Sequence, residues 1–231
     1  MSNSKVFLAE FIGTFALTFF GAAAGVANAG LLGVALAHGF VLAVFCYVYG
    51  HISGTHVNPA VTLGLALNGT IKWAQALIYW IAQFLGAILA GFLVKTFFGT
   101  LSGGETTGSL TTSAPLLAWA VEIVLTFFLV NTVLHAAVAG KAGPFAGWAI
   151  GTTLAFAILA GGPLTGASLN PARTFGPALF TGAWANPSTY LIYFLGPFIG
   201  ATLAVLSYRL LSDSEDVPAQ PTAKKVAARR K

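Results

Sequence analysis

An all-α membrane protein, with six transmembrane helices plus two re-entrant half-helices arranged as an inverted internal repeat, is the fold class predicted by three features of this sequence. These are its composition, the spacing of its apolar stretches and a duplication of its two halves. Of its 231 residues, 57% are hydrophobic and 7% are charged, whereas soluble domains carry about 25% charged residues. So little charge cannot keep a chain dissolved, and it belongs in a bilayer with lipid as its surroundings. The only cysteine, Cys46, excludes an internal disulfide, and no spacing matches a zinc or thiol-redox site. The net charge of +5 does not argue for nucleic acid, because Lys224, Lys225, Arg229, Arg230 and Lys231 lie in a short polar tail that solvation or anionic lipid explains.

Taken in order, apolar stretches at 6–27, 32–49, 73–97, 116–138, 145–161 and 188–210 are each of the length that a hydrocarbon core requires, roughly 20 residues for 30 Å. A cleavable signal peptide would need a cleavage site after a short apolar stretch, whereas the first stretch here is already long and contains Glu10, so it is expected to stay in place as a span. Connections at 96–115 and 140–144 carry the Gly, Ser, Thr and Pro of loops. The membrane domain is therefore assigned to residues 1–211, with repeats at about 1–97 and 115–211, and residues 212–231 form a polar cytoplasmic tail expected to be disordered.

Two further apolar segments, 57–67 and 169–180, are too short to cross, and each opens with Asn-Pro-Ala after a Gly/Ser/Thr stretch. Asn can cap a helix, and Pro suits the first helical turn, where its missing N–H costs nothing. Both segments read as re-entrant half-helices. Irregular backbone at membrane depth persists only where protein buries it or water bathes it, so the loops 53–57 and 165–169 should line a cavity.

The halves match at an offset of 112 residues: Glu10 with Glu122, Thr14 with Thr126, Gly39 with Gly151, Gly54 with Gly166, Asn58 to Ala60 with Asn170 to Ala172, and Gly64 with Gly176. Three full spans per half is an odd number, so the second copy enters from the opposite face and the half-helices point at each other. Lys5, Lys72, Lys141, Arg209 and the tail cluster fall on one side of this arrangement, with Lys95 on the other and Arg173 inside. The positive-inside rule then puts both termini in the cytoplasm.

His-Val-Asn-Pro-Ala-Val-Thr at His56 to Thr62 and Ser-Leu-Asn-Pro-Ala-Arg-Thr at Ser168 to Thr174 resemble the paired signature of the aquaporin, or major intrinsic protein, family. The resemblance covers nearly the whole chain outside the tail. It implies a passive channel for water that excludes ions and protons, assembled as a homotetramer with a pore in each subunit. No cofactor, metal, catalytic residue or nucleic-acid partner is implied, and no nucleophile with a base, metal cluster or phosphate loop argues for an enzyme.

With its carbonyl oxygen capping its own helix, each of Asn58 and Asn170 would keep its amide N–H groups for a passing water. Pro59, Ala60, Pro171 and Ala172 complete the two motifs. Each half-helix also presents roughly half a positive charge at its amino end, and two such ends facing one another oppose cations and protons. By resemblance, Glu10 and Glu122 accept hydrogen bonds from backbone N–H groups of the loops, whose Gly54, Thr55, His56, Gly166 and Ser168 present their backbone to the pore. A proton relay is the alternative, disfavoured because no ladder of other acids accompanies the pair.

Matching the family's constriction gives His38, Ile158, Ala167 and Arg173, a set that resembles tonoplast-type channels of plants more than strictly water-selective members. Ile in place of a ring and Ala in place of a larger polar group should widen the filter. Water is then joined by small neutral solutes such as ammonia, hydrogen peroxide or urea. Glycerol facilitators of the family carry Asp after the Arg; here that residue is Thr174, and the pair Tyr193 and Phe194 also resembles water channels. His51 and His56 flank the first loop and suit either a pH gate or loop hydrogen bonding. Cys46 is read as a buried apolar residue and His135 as structural. A coupled transporter, which also uses inverted repeats and broken helices, would be expected to hold further intramembrane acids. The resemblance leaves the plasma (inner) membrane as the expected location, with a vacuolar-type membrane as the alternative.

Overall fold

The computed structural model describes residues 3–212, so the tail beyond Ser212 and its basic cluster lie outside the described residues. Among the described residues, six helices are long and apolar enough to span a membrane, and the protein is an integral membrane protein. In order, α1 runs Asn3–Val26, α2 Gly30–Ser53, α3 Pro59–Leu67, α4 Trp73–Phe98, α5 Ser109–Ser113 and α6 Pro115–Thr132, the last prolonged by a wide π turn over Val133–Val138. Then follow α7 Ala146–Thr165, α8 Pro171–Thr181, a short α9 Pro187–Tyr190, a second π turn Leu191–Leu195, and α10 Gly196–Leu211. That second π turn sits just before Pro197, which has no N–H to donate and whose ring crowds the carbonyl four residues back.

The fifth span runs beyond the expected end at residue 161, through Pro163 to Thr165, before Gly166 turns the chain at φ 80°. A proline this near a helix end forfeits one hydrogen bond, and the Gly166 N–H closes the last turn on the Gly162 carbonyl at 2.8 Å. The half-helices begin at Pro59 and Pro171 rather than at 57 and 169, because Asn58 and Asn170 are extended caps outside the helix.

The packing is twofold in pattern: α1 lies against α2 and α4, α6 against α7 and α10, and α2 meets α7 across the repeat boundary. Glycine permits the closest crossings. A Cβ on Gly39 would stand 2.7 Å from the Gly151 carbonyl oxygen, and one on Gly151 would stand 2.3 Å from that of Gly39. Such contacts let backbones of spanning helices touch. Each third span also embraces the half-helix of the other repeat, α4 against α8 and α10 against α3. Large apolar side chains such as Leu32, Phe97 and Leu116 remain outside, more than half exposed, as the surface of a membrane-embedded bundle requires.

Candidate functional site

Each half-helix is reached through a strained loop. In the first, Gly54 leaves α2 at φ 82° and Thr55 and Val57 stand at φ 50° and 43°; in the second, Gly166, Ala167 and Leu169 stand at 80°, 45° and 54°. Positive φ on the β-branched Thr55 and Val57 is costly and survives only where surroundings dictate it. Two buried carboxylates do so. Glu10 accepts from the backbone N–H of His56 at 2.9 Å and of Val57 at 2.7 Å, from the Ser53 hydroxyl at 2.6 Å and from the Gln83 amide at 2.8 Å. Glu122 accepts from the N–H of Ser168 at 2.9 Å and of Leu169 at 2.8 Å, and from the Thr165 hydroxyl at 2.7 Å. Tyr79 donates to the Ser53 carbonyl at 2.5 Å, and Tyr193 to the Thr165 carbonyl at 2.6 Å.

The loops deliver two asparagines to one place. The Asn58 Oδ1 accepts from the Ala60 N–H at 2.8 Å, and the Asn170 Oδ1 from the N–H groups of Ala172 and Arg173 at 3.1 and 3.2 Å. The expectation that both amide N–H groups stay free needs correcting. Asn58 Nδ2 donates to the Leu169 carbonyl, and Asn170 Nδ2 to the Val57 carbonyl, each at 2.8 Å. One N–H of each amide ties the two tips together, and the other has no hydrogen-bond partner among the described residues. Pro59, Ala60, Pro171 and Ala172 are buried behind them.

A cavity of about 530 Å³ runs past Asn58 and Asn170, from His38 and Arg173 at one end to Tyr47, Ile71 and Pro144 at the other. Gly54, Thr55, His56 and Ser168 border it. Gly166 does not; it packs against the backbone of Thr107 instead. His56, buried beside Tyr79, shares a hydrogen bond with the Thr62 hydroxyl at 3.1 Å, whereas His51 is exposed at the end of α2. Cys46, expected among buried apolar residues, is only partly buried and borders the cavity. His135 rests edge-on against Tyr208, in keeping with a structural role.

At the end of the cavity nearer Arg173, His38 Nδ1 lies 2.9 Å from the Val34 carbonyl, which can only accept. The ring proton is therefore on Nδ1, and Nε2 offers its lone pair to Arg173 Nε at 3.2 Å. Arg173 Nη1 donates to the Thr106 hydroxyl, which also accepts from Thr174 at 3.0 Å. Gly21 makes room for the imidazole, since a Cβ there would fall 2.1 Å from His38 Nε2. Ile158 and Ala167 are buried, and neither lines the stretch of cavity that reaches His38 and Arg173.

Thr106 and Gln83 were not singled out from the sequence, and Ser53 and Thr165 were expected only as the first residues of the two cavity-lining loops. Ser53 and Thr165 are hydroxyls at the same repeat offset as Glu10 and Glu122, which is a usable signal. Thr106 lies in a connection outside the duplication, and nothing marks it.

Residues 1–208 match the family model described as "Major intrinsic protein". A "Probable aquaporin TIP1-2" of Oryza sativa subsp. japonica is 41% identical over 226 residues, covering 90% of this chain and 87% of that protein. A "Glycerol uptake facilitator protein-like 6" of Lactiplantibacillus plantarum is also 41% identical, covering 92% of this chain and 100% of its own. Among solved structures, the aquaglyceroporin of Plasmodium falciparum shares the fold with a TM-score of 0.77 at 24% identity, covering 91% of this chain and 97% of that one. On its sequence from end to end of the membrane domain, the chain belongs to the major intrinsic protein family.

Proposed function

We propose that this protein is a passive water channel, permeable also to small neutral solutes such as ammonia, hydrogen peroxide or urea, and closed to ions and protons. The observation that carries the reading is the pair of asparagine-tipped helix ends tied to each other beside one continuous cavity. Each tip keeps one amide N–H, and each helix end adds its partial positive charge, so a neutral hydrogen-bonding molecule is received where a cation meets two like fields. The similarity to proteins named aquaporin supports water as the main substrate. His38, Ile158, Ala167 and Arg173 form the filter in this reading, Glu10 and Glu122 hold the loops, and no catalytic or cofactor chemistry is involved.

A glycerol-conducting role is the second reading, favoured by the similarity to a protein named for glycerol uptake. Thr174, hydrogen-bonded to Ser168 and Thr106, occupies the place where an Asp would be expected for it. The assembly is proposed to be a homotetramer in a lipid membrane, with both termini cytoplasmic, in the plasma (inner) membrane or a vacuolar-type one. Stopped-flow measurements on reconstituted vesicles test the reading with water, urea, hydrogen peroxide, ammonia and glycerol. Water should pass fastest, the three smaller solutes measurably and glycerol least, while His38→Phe with Ala167→Thr should narrow the panel to water. Glycerol flux matching that of urea would favour the second reading, and exclusion of all the small solutes would end the claim of a wide filter.

A further inference from the structure

The charge pattern leaves Lys95 on the outer side, against the tendency of cations to lie on the cytoplasmic side. Its Nζ donates to the carbonyl of Phe180, in the last turn of α8, at 2.8 Å. On the opposite side of the molecule, Arg209 Nη2 donates to the carbonyl of Leu67, the last residue of α3, at 2.6 Å. Lys95 belongs to α4 and Arg209 to α10, the third spans of the two repeats. The 114 positions between them also separate Tyr79 from Tyr193, whose hydroxyls hold equivalent loop carbonyls. The two cations are therefore repeat equivalents, and each reaches across to the half-helix of the other repeat. Neither half-helix has a basic residue in its own last turn.

These half-helices have 9 and 11 residues, which makes them about 14 and 17 Å long. Over so short a length, the partial negative charge at the carbonyl end offsets part of the field that the amino end exerts on the cavity. A cation bound to the carbonyl end removes that offset. We infer that Lys95 and Arg209 are paired positioning residues: each neutralises the outer end of the opposite repeat's half-helix and so strengthens the barrier to cations between Asn58 and Asn170. This rests on the proposed ion-excluding channel and adds to it residues far from the cavity wall.

The test compares wild type, Lys95→Met, Arg209→Met, the double variant and Lys95→Arg in proteoliposomes, reading osmotic water permeability and proton flux per channel. Water permeability should stay within about two-fold. Proton flux should rise about two-fold for Lys95→Met, whose exposed ammonium is screened, and about five-fold for the half-buried Arg209→Met. The double variant should multiply the two effects, and Lys95→Arg should match wild type. A purely structural role would lower yield or both fluxes together with the proton-to-water ratio unchanged, and that result overturns the inference. Lys95→Met, at an exposed position, decides the matter alone if Arg209→Met does not assemble. Free proton passage through wild type would instead overturn the channel reading itself, whereas tight wild type with equally tight variants would remove only this inference.

Discussion

The two re-entrant loops share a backbone and differ in what holds it. In both, a buried glutamate accepts two successive loop N–H groups, a hydroxyl at the end of the preceding span joins it, and a tyrosine from the third span fixes the same carbonyl. Around that common frame the side chains diverge. The first loop closes on itself within the membrane: Gln83 joins Glu10 to the Thr62 hydroxyl, and His56 bonds the same hydroxyl. The second opens outward, because Thr174, the repeat equivalent of Thr62, bonds Thr106 of the outer connection, as does Arg173. Arg173 in turn stands where the first repeat has Val61, and both border the cavity. Duplication thus preserved the frame that sets two helix ends against each other, while the divergent partners put a cation at one end of the cavity and coupled it to the connection that carries Thr106.

Changes to the frame should have the largest effects. Glu10→Gln sets an amide N–H against donors and should lower stability by about 3 kcal/mol. Glu122→Gln should cost about 1 kcal/mol less, since no amide equivalent to Gln83 depends on it. Thermal unfolding of the purified protein measures both, and equal losses would show that Gln83 adds nothing to the first loop. Next in size, Gly21→Ala should displace His38 and free Arg173 Nε, lowering stability by roughly 1–2 kcal/mol and changing the urea-to-water permeability ratio.

Thr106→Val and Gln83→Leu sharpen the contrast between the loops. The first removes a partner of Arg173 and should shift the urea-to-water ratio a few-fold with about 1 kcal/mol lost, while the second should lower the melting temperature and leave that ratio alone. A shared outcome would mean that the two loops are not specialised. The smallest effect concerns Glu105, beside Thr106 in the outer connection, whose carboxyl is raised above its ordinary range by burial. The native state then holds its proton to higher pH than the unfolded chain, so stability rises as pH falls through the window between the two values and the ionised form carries the cost above it. Glu105→Gln should flatten the dependence of melting temperature just above the ordinary carboxylate range.

Much of this was legible because membrane insertion constrains sequence strongly. Uninterrupted apolar length marks the spans, and Asn-Pro at two repeat-related points marks helix starts that cannot be ordinary loops. The pairing of Glu10 and Glu122 with the loops was legible through the resemblance, since burial of an acid demands donors. What escaped were contacts that depend on how elements meet in space. Nothing in the sequence says that Asn58 spends one N–H on Leu169, a residue 111 positions away, or that Thr106 reaches Arg173. The fifth span, expected to end at residue 161, continues to Thr165 because Pro163, so near the helix end, removes a single hydrogen bond.

In the proposed channel, opposed, amide-tipped helix ends admit a neutral molecule and repel charge. Simultaneous recording of shrinkage and internal pH in one preparation of vesicles holding the wild-type protein, under matched osmotic and proton gradients, tests this most directly. Water flux far above that of protein-free vesicles, with proton flux no greater than theirs, is the predicted result. Proton flux that grows with protein density alongside water, or water flux no faster than through bare lipid, would contradict it.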